Sequence, residues 1–485
     1  MAYIALSPKD KQELVADMKT AQEHICRLRD LKTSGSTLDA IRSQQEALQE
    51  NVFKVFIKWK EEWRFVLTFV PELVSTALAT LEATSEDVPP NDVLFEMVLD
   101  FLRNLTLCIS PKRMTRYWPT EVSWLVKLVR WLEHSLAAQS NWSTLYVLIL
   151  WLSSAVRTPF DLSRFDVNTA KDEHSLAHRI DDIIRGTAQN YALLPVVHLL
   201  AGSFYSRPDI VRSSSRLERF IGSLLIQLKS DRSSVNDKVC CLRSLATLLK
   251  TIDRSTMSVH VDQIVEPVMT LVDSPHELLA KLSIKILGRS ALTRIRPRLL
   301  KWRYNCGKRI IDGSVAKSAD STNGKPPPLL KEIKSSSAED DLLPDLDDKD
   351  EEEDFDFDEL PPYFEALIQL LLSSLNHPAS VVRLSVAKYL ASICSRLPYQ
   401  FSADILGHVV EHLASPTMDD LAWHGACLAL AEFVRRGYVR VDFMVRVVEV
   451  VEKALFYEHL KGKTRAFLFI YTLMIILLHC FPTLL

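Results

Sequence analysis

The chain has 485 residues with 47% hydrophobic and 25% charged positions, an ordinary composition for a chain that buries a core. Only 12 glycines occur, about a third of the usual ~7%, which argues against turn-rich all-β folds and Gly-rich nucleotide-binding folds. The formal net charge of −3 conceals an acidic run from Glu339 to Glu359; without it the remaining chain carries roughly +10, which suits an acidic partner better than a basic one.

Apolar residues recur at helical spacing from the first third onward. The periodicity predicts helices over 66–81, 93–108, 122–138 and 145–156. Pro89-Pro90 precedes the second, and Pro119 is expected in the first turn of the third. The run Leu145–Leu152 fits a buried strand by composition, but its helical neighbours and the lack of hairpin signals favour a buried helix. In the TPFDLSRFD turn that follows, Asp161 is placed to cap the next turn and to pair with Arg164, with Asp166 close by.

Two later segments align at an offset of 40. RLSVAKYLASICSRLP from Arg383 and WHGACLALAEFVRRG from Trp423 set Ala387 on Cys427, Leu390 on Leu430, Ala391 on Ala431 and Ile393 on Phe433. Each follows another amphipathic stretch, 364–375 and 405–413, with Pro378 and Pro416 in the turns. A fainter copy runs through Val239–Lys250, Gln263–Val272 and Leu278–Leu292. Paired helices with a period of about 40–47 residues and small residues at the crossings predict an all-α HEAT/armadillo-like solenoid, since one pair cannot cover its own apolar face. The expected organisation is helical repeats over 1–311, a disordered acidic loop over 312–362, further repeats over 363–460, and an apolar divergent tail over 461–485. The loop is too polar to offset its ordering entropy. It is read as a solvated linker, or as a polyanion that competes for basic surface or docks a basic partner.

The chemistry-bearing residues form no catalytic pattern. Phosphate-binding, zincin, nucleophile-elbow and zinc-ligand spacings are all missing, so no catalytic, metal or cofactor residue is expected and the chain is read as a noncatalytic binding protein. The eight cysteines lack CxxC spacing and sit among apolar residues, as free buried thiols in a reducing compartment do. Cys240 and Cys241 point to different helix faces as packing residues, and His424 is expected to be a satisfied core or turn histidine. Basic residues gather between Arg294 and Arg309 around Trp302 and Tyr304. Arg296, Arg298, Lys301, Arg303, Lys308 and Arg309, with Arg435 and Arg436, are the candidate protein-binding residues. The cluster fits a phosphate backbone, an acidic protein surface or a plain solvated face; no nucleic-acid partner is expected.

Five segments resemble one family. YVLILWLSSAVRTPFDLSRFD (146–166), PDI (208–210) after FYSR, KWRYNCGKR (301–309), VVRLSVAKYLASICSRLP (381–398) and AWHGACLALAEFVRRG (422–437) are similar to the tubulin-folding cofactor D family, in its order and with its acidic loop between the third and fourth. The resemblance covers about 118–457. It implies a cytoplasmic, cytoskeleton-associated HEAT-repeat chaperone that binds β-tubulin. It further implies work with other tubulin-folding cofactors and an Arf-like small GTPase in αβ-tubulin assembly and disassembly, and stimulation of tubulin GTP hydrolysis together with cofactor C. No active-site residue is carried over. The alternatives are a HEAT-repeat adaptor for another cargo and a tail-anchored membrane protein. The second arises from Ala466–Leu485, twenty residues without Asp, Glu, Lys or Arg after Lys461, Lys463 and Arg465. Such a stretch reaches the ~30 Å of a bilayer core. Because it begins where the resemblance fades, a divergent terminus is preferred, and membrane contact is expected only through this tail.

Overall fold

A computed structural model of the chain describes residues 7–33, 51–82, 93–166, 175–212, 215–297, 360–414 and 419–439, with single positions at 43, 46, 443, 445–447, 449 and 450. Among the described residues there are helices and turns and no strand. The principal helices are α1 Pro8–Thr33, α2 Val70–Glu82, α3 Val93–Ile109, α4 Val122–Ala137, α5 Trp142–Ala155, α6 Leu176–Thr187, α7 Leu194–Tyr205, α8 Ser215–Lys229 and α9 Val235–Thr251. They continue with α10 Val261–Met269, α11 Glu277–Arg294, α12 Phe364–Ser373, α13 Ser380–Cys394, α14 Tyr399–Ala414 and α15 Asp420–Arg435. They fall into two compact units, residues 1–270 and 271–485. The acidic run and the apolar tail lie outside the described residues.

In the first unit, α5, α7 and α9 pack in succession, with α3 and α4 against α5, α6 beside α7, and α8 against α9. Sequence explains the layering. α4 buries Trp124, Leu125, Leu128, Val129, Trp131 and Leu132, a stripe at spacings of three and four. α5 is different: every residue from Ser143 to Ala155 is buried. A helix apolar all round requires neighbours on all sides, and α3, α4 and α7 supply them. Aromatic residues fill the junction. Trp118 stacks on Trp151 at 5.3 Å between ring centroids, Trp124 lies 4.6 Å from Trp151, and Phe95 meets Trp131 edge-on at 5.2 Å. The Trp151 indole N–H donates to the Pro119 carbonyl at 3.0 Å, so the buried tryptophan of α5 leaves no polar atom stranded.

In the second unit, α11, α13 and α15 stack in succession, α12 lies beside α13, and α14 packs on α15. The offset of 40 is the real repeat register: α13 and α15 start at Ser380 and Asp420, and all four aligned residue pairs are buried. Small residues permit the close crossings. A Cβ at Gly425 would stand 1.9 Å from the Leu375 carbonyl oxygen, and one at Gly288 would stand 2.3 Å from the Tyr389 ring. α15 ends on Gly437 at φ 76°, with its N–H on the Val434 carbonyl and the Tyr438 N–H on that of Phe433. This is a Schellman stop, and the ring contact of Tyr438 with Phe433 completes it.

Helix ends account for most departures from the sequence reading. The helix expected over 66–81 is broken at 67–69 and resumes at Val70, with Pro71 in its first turn. Pro119 lies ahead of α4 rather than in its first turn, and Glu121 takes the N-cap position. Asp161 gives no side-chain cap to the Leu162–Phe165 turn, and Arg164 lies 5.9 Å from the Phe160 ring centroid instead. Asp166 instead accepts the Leu176 N–H, at the start of α6, at 2.6 Å. Of the described cysteines all are free, and all are buried except Cys26, which is exposed on α1.

Candidate interaction surfaces

The features that position surface in each unit are buried arginines that read backbone carbonyls of a neighbouring turn. Arg207, 6% exposed, donates through Nη1 to the Val156 carbonyl and, at 2.8 Å, to that of Thr158; Nη2 reaches Phe160 at 2.7 Å. Its fork also grips Asp209, at 2.9 Å through Nε and 3.0 Å through Nη2. Asp209 in turn accepts the Leu162 N–H at 2.9 Å. That carboxylate therefore caps the 162–165 turn from 47 residues away, the task assigned by sequence to Asp161. Burial pushes the Asp209 carboxyl up, but the bonds from Arg207 and Leu162 outweigh it and hold its pKa below the usual range. One turn away, the Tyr205 hydroxyl donates to the buried Asp181 at 2.5 Å, with Arg185 3.9 Å from the same carboxylate.

The second unit has a counterpart in Arg383, also 6% exposed. Nη1 donates to the carbonyls of His377 (2.5 Å) and Pro378 (2.9 Å), and Nε donates to Nδ1 of His424 at 3.1 Å. Burial first, and then the Arg383 charge, lower His424 to about 4, so the imidazole is the neutral acceptor this bond requires. His424 is thus the satisfied structural histidine expected. Cys240 and Cys241 are likewise packing residues, their thiols pushed up by burial to about 11 and about 12.

The candidate binding residues divide. Arg298, Lys301, Arg303, Lys308 and Arg309 lie outside the described residues. Arg296 is exposed just beyond the end of α11. Arg435 and Arg436 are brought together on one carboxylate: both reach Glu432 Oε2, at 2.5 Å and 3.4 Å, and Arg436 also approaches the Lys388 carbonyl of α13 at 3.5 Å. Sequence reasoning missed Arg396, whose Nη1 donates to the Leu292 and Ile295 carbonyls at the end of α11. The Arg396 bonds tie the C-terminal end of α13 to that of α11, where a cation complements the partial negative charge of a helix end, while Arg436 at the end of α15 reaches the interior of α13. Among the described residues no group of three or more His, Cys, Asp or Glu is arranged to hold a metal, and no helix is long and apolar enough to cross a membrane.

Comparison with solved structures finds a chain from a study of Kap95p binding to RanGDP, 12% identical with a TM-score of 0.44, covering 98% of this chain and 48% of that one. A chain of Kap121p bound to RanGTP is also 12% identical, with a TM-score of 0.38, covering 92% of this chain and 36% of that one. Among curated proteins, tubulin-folding cofactor D of Schizosaccharomyces pombe is 25% identical over 362 residues, or 70% of this chain. The tubulin-specific chaperone D of Dictyostelium discoideum is 34% identical over 93 residues, or 18% of this chain. The chain spans only 28% and 6% of these relatives' own lengths through the matched regions. Two family models match in tandem: the tubulin-specific chaperone D-like ARM repeat over residues 57–228, and the tubulin-specific chaperone D-like ARM repeats over residues 278–467. Together they account for well over half of an all-α repeat chain, and the chain belongs to the tubulin-specific chaperone D-like family.

Proposed function

We propose that this chain is a noncatalytic chaperone segment that holds β-tubulin on its ARM-repeat surface and takes part in αβ-tubulin assembly and disassembly. The observation that carries the reading is the match of both repeat regions to models of one tubulin chaperone family. In this reading the partners are the other tubulin-folding cofactors and an Arf-like small GTPase. GTP hydrolysis is then stimulated on tubulin with cofactor C, without an active site in this chain, and the place of work is the cytoplasm and cytoskeleton. The basic body outside Glu339–Glu359 is the expected complement to an acidic cargo. Capture from cytosol by the purified chain tests the proposal. Tubulin is expected to dominate the bound fraction, and a bound fraction dominated by other cargo without tubulin overturns it. Electrostatic steering makes a second demand. Raising salt from 0.1 to 1 M shortens the Debye length from ~10 to ~3 Å, so the association rate with purified tubulin must fall. A rate flat across that range removes charge from the account.

A further inference from the structure

A second basic surface is assembled in the first unit from two stretches of chain about fifty residues apart. Lys60 and Arg64 stand at and beside the short Trp63–Val66 helix; Lys112, Arg113 and Arg116 stand at and beside the short Pro111–Met114 helix that follows α3. All five are exposed, and both short helices pack on α3. Trp63 joins the two stretches. The Arg113 guanidinium lies 3.5 Å from its ring centroid, and that of Arg64 lies 5.5 Å from it. Lys60 acts on the Cys108 thiol at the end of α3 in the sense opposite to burial, which places its charge at the same end of that helix.

Helix capping explains only part of this. Arg113 Nη1 donates to the Ile109 carbonyl at 3.2 Å and to the Ser110 hydroxyl at 3.3 Å. Among the described residues none of the five cations is in an ion pair with a carboxylate, whereas the adjacent Lys58 is held by both Glu13 and Asp17 at 2.6 Å. The chain also accepts an unfavourable backbone to build the turn. Ser110 sits at φ 84°, ψ 145°, a region open mainly to glycine, and its carbonyl accepts the Arg113 and Met114 N–H groups at 3.1 Å.

We propose that Lys60, Arg64, Lys112, Arg113 and Arg116 form a docking surface for an acidic polypeptide segment of a partner protein. Two observations favour polypeptide over nucleic acid. The Trp63 ring is already occupied by guanidinium, so it offers no platform for a base. Glu61 and Glu62 are exposed beside Lys60 and oppose a uniformly charged phosphate backbone, whereas a polypeptide can set a neutral or basic residue against them. Guanidinium forks suit carboxylates in bidentate pairs. The surface stands whether or not tubulin is the cargo of the repeats.

The test measures binding of a fluorescein-labelled (Glu-Glu-Gly)6 peptide to the full chain by anisotropy, beside an oligothymidylate of equal charge. Lys60→Glu/Arg64→Glu/Arg116→Glu spares the Arg113 cap, and Lys112→Glu alone is a milder change; circular dichroism and melting confirm that each is folded. The triple variant is expected to bind the peptide at least tenfold more weakly and the single variant about threefold more weakly, with Arg232→Glu, an exposed cation elsewhere in the unit, unchanged. No peptide binding by the unaltered chain, or binding unchanged in both variants, overturns the proposal. Oligothymidylate binding tighter than the peptide and lost in the triple variant overturns the choice of polypeptide.

Discussion

Arg207 and Arg383 solve the same problem in the two units by different means. Each is 6% exposed and reads carbonyls of a turn between helices. Arg207 has its charge matched by Asp209, which also caps the turn that Arg207 pins. Arg383 ends on the neutral His424 and on two carbonyls. Taking a guanidinium from water costs several kcal/mol unless charge or many hydrogen bonds replace the lost hydration. The first unit supplies both replacements and the second mainly dipoles. The first latch therefore depends on an ionised acid, and the second on an unprotonated base.

Five measurements break or sharpen this contrast. Arg207→Ala has the largest expected effect, about 3–5 kcal/mol, because it strands a partly buried carboxylate and frees three carbonyls. Native-state hydrogen exchange should show the Leu162 amide and its turn losing protection first. Arg383→Ala leaves carbonyls and an imidazole but no orphaned charge, and is expected to cost about 2 kcal/mol in denaturant unfolding. A cost equal to that of Arg207→Ala ends the distinction. Gly425→Ala, which drives a Cβ onto the Leu375 carbonyl, is expected to cost about 1–3 kcal/mol through forced separation of the crossing, and Gly288→Ala less, because the Tyr389 side chain can move.

The fourth measurement is pH dependence. His424 is lowered from the ordinary 6.5 to about 4, so between those values the unfolded chain binds more protons than the folded one. Stability is lost as pH falls through that window and is unaffected above it. Asp209, held below its ordinary 3.8, loses its contribution only as pH falls further. Exchange around α13 and α15 should therefore rise at milder acidity than exchange around the 156–166 turn, and His424→Gln should remove the earlier step. Simultaneous loss in both places contradicts the charge assignments. Glu432→Gln marks the small end of the series: Arg435 and Arg436 are part-exposed, so the change is expected to cost about 1 kcal/mol or less.

What was legible in the sequence was periodic and local. The stripes of α3 and α4 and the offset of 40 need only neighbours within a few turns or a repeated unit, and they located helices and register. Closing the chain brings together what lies far apart. No rule reading three residues ahead of Asp161 finds Asp209 as the cap of its turn. The Lys60–Arg116 surface was invisible for a related reason: each stretch contributes two or three cations, one diluted by Glu61 and Glu62, and only Trp63 joins them. The cluster at Arg294–Arg309 was conspicuous because it is contiguous, a property that bears on detection and not on use. Cys26 was misread because its apolar neighbours Ile25 and Leu28 occupy the buried stripe of α1 while it lies off that stripe.

The all-round burial of α5 has a consequence for how the chain is made. An amphipathic helix leaving the ribosome can wait with one face wet, but α5 has no face to leave in water. Its last cover, α7, is finished only at Tyr205, about fifty residues later, or roughly 3–10 s at a synthesis rate of ~5–20 residues per second. Throughout that interval the growing chain carries a helix meant to be buried on every side with one wall missing. Nascent chains stalled between 156 and 205 are expected to recruit general holdases, and those stalled a few dozen residues past 205 to release them.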